Sequence, residues 1–177
     1  DFTYENPTKI YFGRQALDHL KPELACYGDT VLLVYGKGAI KKIGLYDEIL
    51  AVCQECGKNV VELSGVMPNP TYEKVLAGCK LVREKNVDLI LAVGGGSVID
   101  CAKAISLAAY CQGDPWTRYW IQQEPLDNPV VPVGSILTMV GTGSEMNSGT
   151  VITNEAEKIK MGRIYPPCVN PHFSILN

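Results

Sequence analysis

Short apolar runs alternate with amphipathic segments over the first 110 residues of the chain. Four of these runs have the length of buried strands, and each is followed by a turn that contains glycine. The run at 89–93 has no polar member, which is typical of a strand covered on both faces, as in a parallel sheet. The predicted strands cover residues 9–12, 30–35, 59–63 and 89–93.

The segments between these strands carry apolar residues at helical spacing, which predicts a helix after each strand. Helices are expected over residues 14–24, from Ile43 to Val52, over 71–85 and over 97–109. Alternating strands and helices are typical of an α/β fold, here a Rossmann-like parallel sheet with flanking helices. Right-handed crossovers would bring the loops after Tyr35 and Val93 to the carboxyl edge of that sheet.

The pattern changes after residue 110, where the chain becomes polar, aromatic and rich in proline. Residues 113–129 predict a loop with a short helix, and residues 129–133 predict a further strand. A second glycine-rich turn follows at 141–145. The C-terminal region is predicted to contain a β-hairpin, whose arms at 149–153 and 159–164 flank an acidic turn.

Three consecutive glycines at 94–96 end the most apolar strand. Without side chains, the main chain can turn sharply and approach a ligand closely. Ser97 is expected to cap the following helix, and Asp100 to complete a capping box. The turn then directs backbone amides and the positive end of a helix dipole at one place, which favours a phosphate group. The alternative is a tight turn without a ligand, and the motif departs from the dinucleotide fingerprint because Ile99 stands at its third glycine position.

The second glycine-rich turn carries hydroxyl groups on Thr138, Thr142 and Ser144. A simple hairpin turn would also explain its glycines. Two hydroxyl-bearing glycine loops in one α/β domain favour a single ligand that both loops contact.

The turn Gly36-Lys37-Gly38 follows the second predicted strand. In dinucleotide folds an acidic residue near such a strand end commonly binds the adenosine ribose 2′-hydroxyl. No carboxylate occurs here before Asp47, so this position should accept or prefer a 2′-phosphate beside Lys37. Lys37 is equally well explained as a solvated loop residue.

Composition narrows the class and the location of the protein. The chain has 177 residues, 46% hydrophobic and 20% charged, which fits one globular domain. A net charge of −3 without a basic face argues against a nucleic-acid partner, and no apolar run is long enough to cross a bilayer. The N-terminus lacks signal-peptide features, so a cytoplasmic location is expected. The seven cysteines are irregularly spaced and are expected to be small buried residues rather than a zinc or redox site.

Two motifs are specific enough to indicate a family. Gly94-Gly95-Gly96-Ser97-x-x-Asp100-x-Ala102-Lys103, together with Thr138-x-x-Gly141-Thr142-Gly143-Ser144-Glu145, resembles the iron-containing (group III) alcohol dehydrogenases, most closely their butanol dehydrogenase-like subgroup. The resemblance covers the whole chain but only the N-terminal half of such an enzyme. It implies the fold of a dehydroquinate synthase-like N-terminal domain, with residues 1–177 as a dinucleotide-binding domain.

The resemblance also implies how a cofactor is bound. The first glycine turn would hold the pyrophosphate, with Asp100 near the ribose or nicotinamide side, and Val151 and Lys160 would approach the nicotinamide. Diol-oxidising relatives carry an aspartate where this chain has the turn at 36–38, which favours NADP(H) and leaves NAD(H) possible. The implied cofactor-binding residues are Gly36, Lys37, Gly38, Gly94, Gly95, Gly96, Ser97, Asp100, Thr138, Thr142, Val151 and Lys160.

Enzymes of this family bind Fe²⁺ or Zn²⁺ through one aspartate and three histidines in a helical domain, which is expected after residue 177 and outside this chain. His19 and His172 match no ligand position, so the chain alone is predicted to be inactive. In the whole enzyme, a short primary alcohol such as butanol and its aldehyde would exchange a hydride with the nicotinamide, and a homodimer is expected. The alternatives are a glycerol or glycerol-1-phosphate dehydrogenase, a dehydroquinate synthase, or a nucleotide-binding module without catalysis.

Overall fold

Eight strands are present in residues 1–176, the part of the chain that the computed structural model describes. Six of them form a parallel sheet in the order β1-β8-β5-β4-β2-β3, and β6 and β7 form an antiparallel hairpin. The strands are β1 (Lys9–Phe12), β2 (Thr30–Tyr35), β3 (Asn59–Leu63), β4 (Leu89–Gly94), β5 (Val133–Leu137), β6 (Gly149–Asn154), β7 (Ile159–Ile164) and β8 (Phe173–Leu176).

Helices connect the parallel strands from β1 to β5, and the hairpin lies between β5 and β8. The α-helices are α1 (Leu20–Leu24), α2 (Ala39–Lys42), α3 (Leu45–Glu55), α4 (Tyr72–Lys85) and α5 (Gly96–Ala108). Short 3-10 helices cover Ala16–His19, Ser144–Met146 and Pro167–Val169, and a π-helix covers Trp116–Ile121. None of the helices within residues 1–176 combines the length and the apolar character that crossing a bilayer requires.

Alternate residues of the central strands face opposite layers of helices. Leu32 of β2 and Ile90 of β4 pack into the core that includes residues of α4 and α5. Leu33 and Leu91 pack into the opposite core, which includes residues of α1 and α3. Both faces of these strands are therefore apolar, which explains their uninterrupted apolar sequences. The predicted Rossmann-like parallel sheet with flanking helices is confirmed, as are the strands predicted at 9–12, 30–35 and 59–63, while β4 extends one residue beyond 89–93.

The strand predicted at 129–133 is wrong, because β5 runs from Val133 to Leu137. Pro129 and Pro132 have no N–H group to donate to a strand ladder. Pro132 contributes only its carbonyl, which accepts from the amide of Ile90 at 2.9 Å. The buried residues that follow form the ladder with β4 on one side and β8 on the other.

Two predicted helices have bounds that differ from those expected. The helix expected from Ile43 to Val52 is α3, which starts later, at Leu45, and runs on to Glu55. Gly44, whose φ of +80° favours glycine, separates it from α2. Ile43 is therefore 67% exposed rather than part of the core. In the segment 14–24 only α1 is α-helical, because Pro22 lacks the N–H that a longer helix would require. By contrast α4 forms as predicted, with the Thr71 hydroxyl accepting from an amide of its first turn.

The predicted β-hairpin is confirmed as β6 and β7, and it packs against α5. The short helix expected within 113–129 is the π-helix, whose aromatic side chains are buried. Three cysteines are buried as expected, whereas Cys26 and Cys168 are exposed.

Candidate nucleotide-binding site

The carboxyl ends of β4 and β5 bring the two glycine-rich turns side by side. The amide of Thr138 donates to the carbonyl of Gly94 at 3.0 Å. A Cβ atom on Gly96 would lie 2.8 Å from the hydroxyl oxygen of Thr142, closer than ordinary contact allows. Because the first turn has no side chain at Gly96, the second turn can lie directly against it. A single ligand could therefore contact both turns.

Helix α5 begins at this junction without a side-chain cap. Gly95 is the N-cap residue, and no side chain within residues 1–176 caps it. The amides of Gly95, Gly96 and Ser97 have no acceptors inside the helix and lie at the positive end of its dipole. A Cβ atom on Gly95 would lie 3.6 Å from the nearest atom, in the exposed side chain of Met139. Space for an anion therefore lies beside uncapped donors.

The predicted capping box of Ser97 and Asp100 is wrong, because the helix starts at Gly96 and Ser97 is already inside it. Asp100 accepts instead from the hydroxyl of Ser144 and, through its other oxygen, from the amide of Val151 at 3.0 Å. One carboxylate thus joins α5 to the second glycine turn and to the hairpin.

A cleft of about 290 Å³ lies where α5, the second turn and the hairpin meet. Three of the predicted cofactor-binding residues line it, namely Asp100, Thr142 and Val151. Ile164, also in the lining, is 75% exposed. The cleft combines a carboxylate, a hydroxyl group and open apolar surface.

A second cavity, of about 220 Å³, lies at the carboxyl end of β5 on the α3 side of the sheet. Its lining is mainly apolar and includes Thr138. Ile43 and Leu45, from the junction between α2 and α3, contribute to its wall. Ile43 thus lines an open cavity and is not packed in the core, a difference that helical periodicity does not reveal.

The turn Gly36-Lys37-Gly38 lies at the carboxyl end of β2, next to β4 in the sheet. Lys37 is exposed. A carboxylate that the sequence did not single out, Glu62 on the neighbouring strand β3, accepts from the hydroxyls of Tyr35 and Tyr46 at 2.5 Å each. These hydrogen bonds lower the pKa of Glu62. Both carboxylate oxygens of Glu62 therefore already accept hydrogen bonds from tyrosine hydroxyl groups.

Lys160 does not line the cleft. It lies on β7, and its ammonium group donates to the side-chain oxygen of Asn69 at 2.5 Å. Of the two residues predicted at the nicotinamide end, the structure brings only Val151 to the cleft.

Lys103 is a residue of this region that the sequence reasoning did not treat as functional. It lies on α5 with no exposed surface, and its Nζ donates to the backbone carbonyls of Ser144 and Asn147 at 2.9 and 3.0 Å. Burial lowers the pKa of Lys103 to about 8, an effect that Asp100 and Glu145 oppose. The sequence signal for this buried position is a lysine within a run of small and apolar residues in a predicted helix.

Within residues 1–176, no three His, Cys, Asp or Glu side chains form a group able to hold a metal ion. Burial raises the pKa of the Cys53 thiol to about 11 and those of Cys79 and Cys101 to about 12. Because thiolate is the metal-binding form of cysteine, these groups are poor ligands at neutral pH. The described residues do not fit a catalytic metal.

A known family covers nearly the whole chain. Residues 7–177 match the family model described as iron-containing alcohol dehydrogenase. The chain belongs to this family. A probable NADH-dependent butanol dehydrogenase 1 of Bacillus subtilis (strain 168) is 50% identical over 177 residues, which are 100% of this chain and 45% of that protein. The NADPH-dependent aldehyde reductase of Escherichia coli (strain K12) is 37% identical over 179 residues, with the same two coverages.

Solved structures share the fold of this chain. An NADH-dependent butanol dehydrogenase A from Thermotoga maritima matches with a TM-score of 0.92 and 38% identity, covering 100% of this chain and 44% of that one. The present chain thus spans less than half the length of the relatives it matches. The family expected from the two glycine motifs is confirmed.

Proposed function

We propose that residues 1–177 are the dinucleotide-binding domain of a metal-dependent alcohol dehydrogenase or aldehyde reductase. The observation that carries this proposal is the uncapped N-terminus of α5, which lies beside open space and against the second glycine turn. Two relatives are named as a butanol dehydrogenase and an aldehyde reductase. These names support a short primary alcohol and its aldehyde, such as butanol and butanal, as substrates.

The residues on this edge of the sheet fit a dinucleotide. The amides of Gly95, Gly96 and Ser97 would bind the pyrophosphate, because first-turn amides favour anions. The apolar cavity beside Thr138 suits the adenosine end, and the cleft beside Val151 suits the nicotinamide end. When bound, the nicotinamide supplies the hydride acceptor or donor of the reaction.

The form of the cofactor depends on the turn at 36–38. This turn has no carboxylate of its own, and Glu62 is occupied by two tyrosines, which supports NADP(H). The names of relatives such as the Bacillus subtilis protein support NAD(H) instead. We favour NADP(H) on the residues present.

Titration of the chain with NADPH and with NADH, followed by nucleotide fluorescence, tests this proposal. NADPH is expected to bind more tightly, and Lys37→Ala to weaken NADPH binding up to about fivefold, since an exposed ion pair contributes at most about 1 kcal/mol. NADH serves as the control ligand, because it lacks the 2′-phosphate. Equal effects of Lys37→Ala on both nucleotides would contradict the assignment of Lys37, and failure of both to bind would contradict the proposed function.

The metal is proposed to bind outside this chain, in a helical domain after residue 177. The chain is therefore expected to show no reduction of butanal by NADPH or NADH, with or without added Fe²⁺ or Zn²⁺. Metal-dependent oxidation of the nucleotide by the purified chain would contradict this assignment.

A homodimer is also proposed, through the open edge of β1. This strand pairs with β8 on one side, and Phe12 is 86% exposed. Light scattering measures the oligomeric state directly. A monomer at all protein concentrations would argue against a dimer formed through β1.

A further inference from the structure

Lys103 satisfies all of its donor capacity within one short segment. Its ammonium group lies 2.9 Å from the carbonyl of Ser144, 3.0 Å from the carbonyl of Asn147 and 3.1 Å from the side-chain oxygen of Asn147. An ammonium group has three N–H donors, and here each has an acceptor. Lys103 therefore fixes the end of the second glycine turn, and Asn147 just after it, to the body of α5.

Asp100 reinforces this connection one helical turn earlier. Its carboxylate lies 3.7 Å from the Lys103 ammonium group and also accepts from the Ser144 hydroxyl and the Val151 amide. Two charged residues of α5 thus hold both the end of the second turn and the start of β6.

The connection continues into the second turn itself. The side-chain amide of Asn147 donates to the carbonyl of Gly143 at 2.8 Å, while its oxygen accepts from Lys103. Gly143 is adjacent in sequence to Thr142, whose hydroxyl approaches the place of a Gly96 Cβ. The position of Thr142 against the first turn is therefore set through Asn147 by Lys103.

We infer that Lys103 is a positioning residue for dinucleotide binding, whose ammonium group holds the second glycine turn against the amide donors of α5. This inference rests on the proposed function, because it concerns the affinity of the same site. Lys103 is fully buried and acts on the nucleotide through Asn147 and Thr142, without touching it.

The protonation state of Lys103 gives a readout that a structural role alone would not change. Asp100 on its own helix and the buried Glu145 on the adjoining 3-10 helix are the charged groups that act on it, and β6 carries no titratable side chain. Burial lowers its pKa to about 8, and a neutral amine has too few N–H donors for three acceptors. Nucleotide affinity should therefore fall as the pH rises through about 8.

The titration of Lys103 does not lower the stability of the fold, so unfolding cannot account for this fall in nucleotide affinity. Its pKa is about 8 in the folded chain and 10.5 without burial, so between these values the unfolded chain binds more protons. The free energy of unfolding contributed by this group therefore increases with pH across that window. A loss of affinity in the same window reports on the turn and not on global stability.

The test compares the dissociation constants of NADPH and NADH at pH 7 and pH 9.5 for the wild-type chain, Lys103→Met and Lys58→Met. Lys58 is a matched control, because its ammonium group donates to the carbonyls of Tyr27 and Gly28 at 2.8 and 3.0 Å at the opposite edge of the sheet. Lys103→Met is expected to weaken both nucleotides by about tenfold at pH 7, the effect of about 1.4 kcal/mol, and to abolish the pH dependence. Lys58→Met is expected to bind as the wild type does.

The outcomes separate this inference from the proposed function. Absence of nucleotide binding by the wild-type chain contradicts the proposed function, whereas equal affinity and equal pH dependence in Lys103→Met overturn the role of Lys103 alone. If circular dichroism shows that Lys103→Met is unfolded, the wild-type pH profile and Asn147→Ala decide. An affinity that is constant from pH 7 to pH 9.5, or unchanged in Asn147→Ala, overturns the inference.

Discussion

Gly95→Val is expected to weaken the binding of NADPH or NADH about a hundredfold, because two lost amide contacts to the pyrophosphate cost about 1.5 kcal/mol each. The fold should tolerate the change. Gly95 has φ −88° and ψ −171°, which any residue adopts, and its Cβ would meet only the exposed Met139 at an ordinary 3.6 Å. The valine would instead fill the space beside the first-turn amides of α5.

Calorimetric titration measures the affinity, and circular dichroism verifies the fold. Gly95→Ala should give an intermediate loss, because its single methyl group fills less of the space. Ala51→Val, at an exposed position of α3, introduces the same side chain away from the turn and should bind normally. Unchanged affinity in Gly95→Val would show that the pyrophosphate lies elsewhere.

Gly134→Ala is expected to lower the free energy of unfolding by about 3 kcal/mol, near the upper end of the range for overpacked cores. Gly134 lies in β5 opposite Phe173 of β8, and an added Cβ would lie 2.2 Å from the ring of Phe173. That ring is fully buried, so it has no free space into which to move.

Urea denaturation measures this loss of stability. Gly141→Ala serves as the control, because its Cβ would meet no atom within 4 Å. The double variant Gly134→Ala with Phe173→Leu should cost less than the sum of the single changes, since leucine lacks the ring atoms that collide. If the two losses of unfolding free energy are additive, the destabilisation by Gly134→Ala does not come from its contact with Phe173.

Much of the sheet could be predicted from the chain because its central strands are covered on both faces. The apolar runs of β2 and β4 leave little choice other than a buried strand. The position of β5 could not be obtained in the same way, because the residues PVVPV are as apolar as the true strand. Only the missing N–H groups of Pro129 and Pro132 distinguish them.

Part of the candidate site could likewise be predicted from the sequence, and part could not. The glycine turn at 94–96 was visible because its chemistry resides in the backbone, and backbone exposure follows directly from glycine. The roles of Asp100 and Lys103 depend on residues more than 40 positions away in sequence, at 144–151. Local patterns such as a capping box cannot report contacts that only the tertiary fold creates.

The place of β8 between β1 and β5 has a consequence for how the protein is made. Within residues 1–176, β1 pairs only with β8, so segments more than 160 positions apart in sequence meet in one ladder. A nascent chain on the ribosome can assemble the β5-β4-β2-β3 part of the sheet while Lys9–Phe12 is still without a neighbour. Until Phe173–Leu176 has emerged, the backbone groups of β5 on that side remain open to chaperones or to other nascent chains.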